Sequence, residues 1–229
     1  MYRYELKVVL NENGLSYLKH WLEVIGARVA YESRLVNSIY FDSPVFDSVR
    51  DNLAGIALRE KLRLRWYGAL DDSPSKFSDF QLEMKYRHGR CGSKSIFNLP
   101  SIRPEILTCR PIDLTERVFL DFRKGYPAKS SNLSLKLPIL YTGYKRRYYS
   151  LMNSIRITLD SSIVFKDLQQ DLSIYDVGSV THNSYVLEFK FGLEDKSLVS
   201  NLLRNSIFNP TRHSKYLVGL SRLGYATYI

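Results

Sequence analysis

The stretch Lys61-Leu62-Arg63-Leu64-Arg65-Trp66-Tyr67-Gly68 sets three cations at alternate positions. Successive side chains of a β-strand point to opposite faces, so Lys61, Arg63 and Arg65 share one face and Leu62, Leu64 and Trp66 the other. Neighbouring cations repel each other. Such a row is stable where solvent bathes it, or where it holds an anion with several negative oxygens, for which the guanidinium fork is well shaped. The alternation recurs as Arg3, Glu5 and Lys7, then Glu83 and Lys85, then Arg156 and Asp160, then Glu188 and Lys190. The intervening positions are apolar, so each stretch has one charged face and one face suited to a core.

Strands must carry these rows, and their order is readable from period and punctuation. Residues 2–10 predict an opening strand, and Asn11 or Asn13 predicts the cap of a helix with Leu15, Leu18, Trp21, Leu22 and Ile25 buried and Gly26 as its stop. Strands are predicted over 35–42, 57–67 and 81–86, with a helical turn near 45–52 and a loop rich in acidic, Ser and Pro residues at 71–79. A Gly-containing turn at 89–92 leads to a strand from Lys94 through Leu99. Between 102 and 128 the period of two is lost, and Ile106, Leu107, Leu114, Val118, Phe119 and Phe122 predict helices broken by Pro104, Pro111 and Pro127. Strands resume at 134–149, 154–160 and 185–191, before a helix from about 194 to 206. No linker or repeat interrupts this order, so one domain over 1–229 is expected.

Two arrangements satisfy the pattern. One is an open sheet with a wet face; the other is an antiparallel sheet closed into a barrel, apolar outside beneath helices and charged inside. A charged lumen would need ligand, metal or counter-charge, since an uncompensated buried ion costs several kcal/mol.

The 229 residues carry a net charge of +10 with pI near 9.5, which points to a polyanionic partner: nucleic acid, a phosphate-rich ligand or an anionic membrane surface. The 17 Tyr and 11 Phe favour strands. Cys91 and Cys109 have neither metal-ligand spacing nor a disulfide framework, which suits a reducing compartment. No apolar run is long enough to span a membrane and the N-terminus lacks a signal-peptide core, so a soluble, cytoplasmic protein is expected.

Nine segments carry a further reading. They are Arg3 to Lys7, Ser38 to Pro44, Arg50 to Gly55, Lys61 to Gly68, Leu82 to Lys85, Tyr144-Lys145-Arg146, Ile155 to Asp160, Leu187 to Lys190 and Ser214-Lys215-Tyr216. In this order, over almost the whole chain, they resemble the VTC domain, the polyphosphate-polymerase-like branch of the triphosphate tunnel metalloenzymes, in its bacterial single-domain form. The resemblance implies an α+β fold with a closed antiparallel tunnel of about eight strands and flanking helices. It implies that Lys7, Arg63, Arg65, Lys85, Lys94, Arg146, Arg156 and Lys215 hold phosphates, with Lys7, Arg63, Arg65, Arg146 and Arg156 closest to the chemistry. Ser214 would donate a hydrogen bond, Tyr144 would sit beside the phosphate chain, and Lys61 and Lys190 would add charge. Glu188 would be the principal ligand of a divalent metal, Mn²⁺ or Mg²⁺, with Glu5 and Glu83 as additional or water-mediated ligands.

The implied reaction moves the terminal phosphoryl group of a nucleoside triphosphate onto polyphosphate, which requires in-line holding and charge stabilisation more than covalent work. Hydrolytic relatives carry two glutamates before the first-strand lysine to hold the metals that activate water. Arg3 replaces the first of them here, which favours the polymerase branch. A tripolyphosphatase or nucleoside triphosphatase, and a non-catalytic polyphosphate-binding module, are the competing readings. Nucleic acid is not an expected partner, and a membrane-protein partner would place the protein at the inner face of a membrane. Asp42 and Asp160 read as turn or ion-pair residues, Lys145 and Arg147 as facing away from the site, and His20, His88, His182 and His213 as surface or loop residues. Trp66 and Tyr67 read as packing on the barrel exterior.

Overall fold

The computed structural model describes residues 4–68, 79–88, 91–129, 133 and 135–227. Strand β1 (Tyr4–Leu10) leads into helix α1 (Glu12–Val24), whose cap is Asn11: its side chain accepts from the Gly14 N–H. There follow β2 (Arg28–Asp42), α2 (Asp47–Leu53), β3 (Leu58–Tyr67), β4 (Gln81–His88) and β5 (Cys91–Asn98). A 3-10 turn at Pro104–Thr108 precedes α3 (Pro111–Gly125), where Pro111 starts the helix rather than breaking it, its missing N–H being one of the donors a first turn leaves unused. The chain continues through β6 (Leu137–Leu151), β7 (Ile155–Asp167), β8 (Ser179–His182), β9 (Tyr185–Phe191), α4 (Lys196–Arg204) and α5 (Lys215–Arg222). Among the described residues no helix is long and apolar enough to cross a membrane. Arg3, nearly all of the 71–79 loop and the first half of the 89–92 turn lie outside the described residues.

Among the described residues the sheet has nine strands in the order β1-β9-β7-β6-β2-β3-β4-β5, with β8 attached to β7. The α+β class is as expected, but the closed barrel is corrected to an open sheet: β1 and β5 are edges, not neighbours. Alternating charge reports which residues share a face and is the same in open and closed sheets; closure depends on tilt and on whether edges meet. At Lys7 the outer edge of β1 is taken by another partner, the Thr211 N–H, which donates to the Lys7 carbonyl at 2.7 Å.

The chain divides into two compact units, with β2, β6 and β7 contributing residues to both. The first comprises Met1–Leu35, Tyr144–Ile163 and Thr181–Ser214. Its core joins Leu18, Trp21 and Leu22 of α1 to Ile157 of β7, Leu187 and Phe189 of β9 and Val199 of α4. Trp21 meets Phe189 and Phe208 edge to face, at 6.2 and 5.0 Å between ring centroids. The second comprises Val36–Gly143, Val164–Val180 and Lys215–Ile229. There Leu62, Leu64 and Trp66 of β3 and Leu82 and Met84 of β4 pack with Val118, Phe119 and Phe122 of α3. Each such side chain contributes about 1.5–3 kcal/mol by burial. These apolar faces fix which way the intervening charges point.

Three elements depart from the expectation. Strand β2 begins at Arg28, earlier than 35; over Arg28–Leu35 it is largely exposed, with Val29, Tyr31 and Leu35 outside the core. Strand β8 is short, and α5 had been overlooked although Tyr216, Leu217 and Leu220 are spaced for one helical face.

Candidate functional site

In the second unit, Lys61 pairs with Lys85 and Lys85 with Lys94, while Arg63 pairs with Glu83 and Arg59 with Arg87. Paired residues share a face, so β3, β4 and β5 present Arg59, Lys61, Arg63, Arg65, Lys85, Arg87 and Lys94 together with Glu83. Arg63 Nε and Nη2 each lie 2.6 Å from Glu83 Oε2, and Lys94 Nζ lies 2.7 Å from Oε1. Arg65 Nη1 is 3.9 Å from Oε2. The Glu83 side chain is only 3% exposed and that of Arg65 7%, so this is not merely a solvated face. Burial alone would raise the Glu83 pKa, but Arg63, Arg65 and Lys94 outweigh it and bring it down to about 2. Burial lowers the Lys94 pKa, and the nearby guanidiniums act in the same direction against Glu83.

Aromatic rings line the same residues. Arg63 Nη1 donates to Tyr40 Oη at 3.3 Å, and its guanidinium lies 5.9 Å from the Tyr40 ring. Tyr40 stacks on Tyr216 at 4.9 Å, and Lys61 Nζ is 5.5 Å from the Tyr216 ring. Tyr216 Oη donates to Asp42 Oδ2 at 2.6 Å, and burial, then the Asp42 carboxylate, push the phenol pKa far up. Asp42, fully buried, also accepts from the Ser43 and Ser48 N–H groups and the Ser48 hydroxyl. This is the structural role expected of it. Lys215, half-buried, begins the helix that carries Tyr216. Trp66 is in the core, but the expected placement of Tyr67 is corrected: Tyr67 has the parity of Arg65 and lies 5.2 Å from its guanidinium.

In the first unit the register joins Lys7 to Glu188 to Thr158, and Glu5 to Lys190 to Arg156. Lys190 Nζ lies 2.6 Å from Glu188 Oε1 and 3.9 Å from Glu5 Oε2. Lys7 Nζ is 2.9 Å from Glu5 Oε1 and donates to the His213 carbonyl at 3.1 Å. Burial opposes ionisation of Glu188, yet Lys190, Lys7 and Arg146 hold its carboxyl well below the usual range. Arg146 clamps Asp160 in two contacts, Nε to Oδ1 at 2.5 Å and Nη2 to Oδ2 at 2.7 Å, and lies 3.9 Å from Glu188 Oε2. Its guanidinium is 5.2 Å from the Tyr144 ring. Asp160 is thus the ion-pair residue its position suggested. Arg156 is exposed beside Lys190.

Lys145 and Arg147 are exposed and have the parity opposite to Arg146, as expected. His182 and His213 are half-buried rather than superficial, with rings 6.1 Å apart and nearly parallel. Ser214, also half-buried, follows His213 on the segment that borders Lys7. Sequence reasoning overlooked Arg59 and Arg87, which continue the same alternation, and Tyr40 and Tyr216, whose placement depends on contacts between distant segments.

Among the described residues no group of three or more His, Cys, Asp or Glu side chains is gathered to hold a metal. Glu188 and Glu5, joined through Lys190, nonetheless offer two hard oxygen donors, as Mg²⁺ requires when phosphates supply further ligands. The oxygens of Glu83 are engaged by cations, as are those of Glu188 and Glu5, so a metal at any of them would displace an ammonium or guanidinium.

The sequence model of the VTC domain family matches residues 2–223. Subunit 2 of the vacuolar transporter chaperone complex of Saccharomyces cerevisiae is 27% identical over 187 residues, covering 69% of this chain and 21% of that protein. The chain therefore spans about a fifth of that relative's length. Among solved structures, a putative adenylyl cyclase from Hippeastrum, described as having a dominant triphosphatase activity, is similar at a TM-score of 0.54 and 16% identity, covering 99% of this chain and 98% of that one. The PH1819 protein of Pyrococcus horikoshii is similar at 0.53 and 14% identity, covering 96% and 98%. At these identities the likeness is one of fold.

Proposed function

The chain belongs to the VTC domain family, and from that premise we propose that it is a metal-dependent polyphosphate polymerase. The observation that carries the reading is the face of β3–β5, where seven basic side chains of the described residues stand together and three of them surround the buried Glu83 carboxylate. A phosphate chain supplies closely spaced negative oxygens to such a face, at the spacing its guanidinium and ammonium groups can grip. The triphosphatase activity described for the Hippeastrum protein accords with triphosphate handling.

In the proposed reaction a terminal oxygen of polyphosphate attacks the γ-phosphorus of a nucleoside triphosphate. A new P–O–P bond forms, the bond from the γ-phosphorus to the β–γ bridging oxygen breaks, and the nucleoside diphosphate leaves with that electron pair. Arg63 and Arg65 hold phosphate oxygens and neutralise charge as it shifts, aided by Lys61, Lys85 and Lys94. Lys7, Lys190, Arg146 and Arg156 do so on the first unit, with Tyr144 and Ser214 positioning the chain, and Lys215 adds a cation on the second unit. A divalent ion, when bound by Glu188 and Glu5, would supply further positive charge to the phosphates. Glu83 positions Arg63 and Lys94. Arg3, in place of a carboxylate, supports transfer to phosphate over transfer to water. A membrane partner that receives the product belongs to the same reading.

Incubation of the protein with ATP and Mg²⁺ or Mn²⁺, followed by gel separation, tests it. Long polyphosphate with matching ADP is expected. Free phosphate and ADP without polymer, or binding of tripolyphosphate with neither product, would overturn it.

A further inference from the structure

We infer that a groove in the first unit binds the base and ribose of a nucleoside triphosphate, an inference that rests on the triphosphate reading above and extends it. The groove has a volume of about 340 Å³, within the roughly 300–1,000 Å³ range of small-molecule sites. Tyr31, Tyr148, Asn153, Arg156, Lys190 and Glu194 are among its walls. That mixture is not what a bare phosphate chain requires.

Tyr31 and Tyr148 meet edge to face at 5.9 Å and 86°. Tyr31 is 57% exposed, so a broad aromatic surface is left open for a stacked base. Arg156 and Lys190, paired across β7 and β9, bring positive charge to the same groove. Arg156 makes no ion pair among the described residues and is available to a phosphate. Glu194 would repel a phosphate chain, but its carboxylate can accept the two hydroxyl hydrogens of a ribose. It folds so closely over Gly192 that a Cβ there would collide with it.

The hairpin between β6 and β7 contributes a polar side chain to the groove. Met152 and Asn153 have φ of 50° and 60°, the left-handed region that long side chains such as methionine rarely adopt. Two successive left-handed residues are what a tight turn between twisted antiparallel strands uses. Here the turn presents Asn153, whose amide both donates and accepts and so can read a base edge.

Calorimetric titration of a non-hydrolysable ATP analogue and of inorganic tripolyphosphate, each with Mg²⁺, into the wild type, Tyr31→Ala, Tyr31→Phe and Glu194→Gln tests the inference. Tyr31→Ala and Glu194→Gln are expected to weaken the nucleotide about tenfold while tripolyphosphate stays within about twofold; Tyr31→Phe retains nucleotide affinity. Unchanged nucleotide affinity in both weakened variants, or parallel loss of both ligands, would overturn the nucleoside site and leave the triphosphate reading standing. If the wild type binds neither ligand, both readings fall.

Discussion

Glu83 gathers two guanidiniums and an ammonium around a carboxylate almost out of reach of solvent. Its folded pKa, about 2, is below its ordinary value of 4.5, so the stabilisation is fully present above pH 4.5 and is lost as pH falls towards 2. The shift corresponds to a contribution on the order of 3 kcal/mol near neutrality. Thermal melts of Glu83→Gln should therefore show a clear loss of stability at pH 7 that narrows below pH 4.5. A gap between variant and wild type that stays constant down to pH 2.5 would contradict this role. At this scale parity revealed the face-mates of Arg63 and Arg65, because a period of two needs only local backbone geometry. Tyr216 and the His213 carbonyl were hidden, since their partners Asp42 and Lys7 are far away in sequence.

Helix α5 brings Tyr216 to Asp42 and Lys61, and it can do so because Gly219 allows a close approach to the sheet. A Cβ at Gly219 would lie 2.7 Å from both Leu140 Cδ2 and Phe165 Cδ1, and both of these side chains are fully buried and have nowhere to move. Gly219→Ala gains up to about 1 kcal/mol in helix propensity but costs about 1–3 kcal/mol by overpacking. A net fall of several degrees in melting temperature is expected; an increase would show that the helix is not seated this tightly. Strand β9 was legible to its ends because Tyr185–Phe191 alternates without interruption. The start of β2 was not read, because the alternation there is short, with Val29, Tyr31 and Leu35 opposite Arg28, Glu32 and Arg34, and its apolar side is left exposed rather than packed into a core.

Across the whole molecule, a net charge of +10 is compatible with many polyanions, and composition alone points as readily to nucleic acid. The placement of charge is more informative: on β3–β5 the cations share a strand face with a buried carboxylate. The charged and apolar faces of the sheet were legible as alternation, whereas its openness was not, since edge pairing has no local sequence period. The central claim, that these faces are built for a phosphate chain, is tested most directly by competition at fixed ionic strength. Labelled polyphosphate bound to the protein would be challenged with tripolyphosphate and with duplex DNA or RNA at equal phosphate concentration, since nucleic-acid affinity varies steeply with salt. Displacement by tripolyphosphate with little effect of nucleic acid is the predicted result; displacement by DNA or RNA while tripolyphosphate leaves the label bound would contradict it.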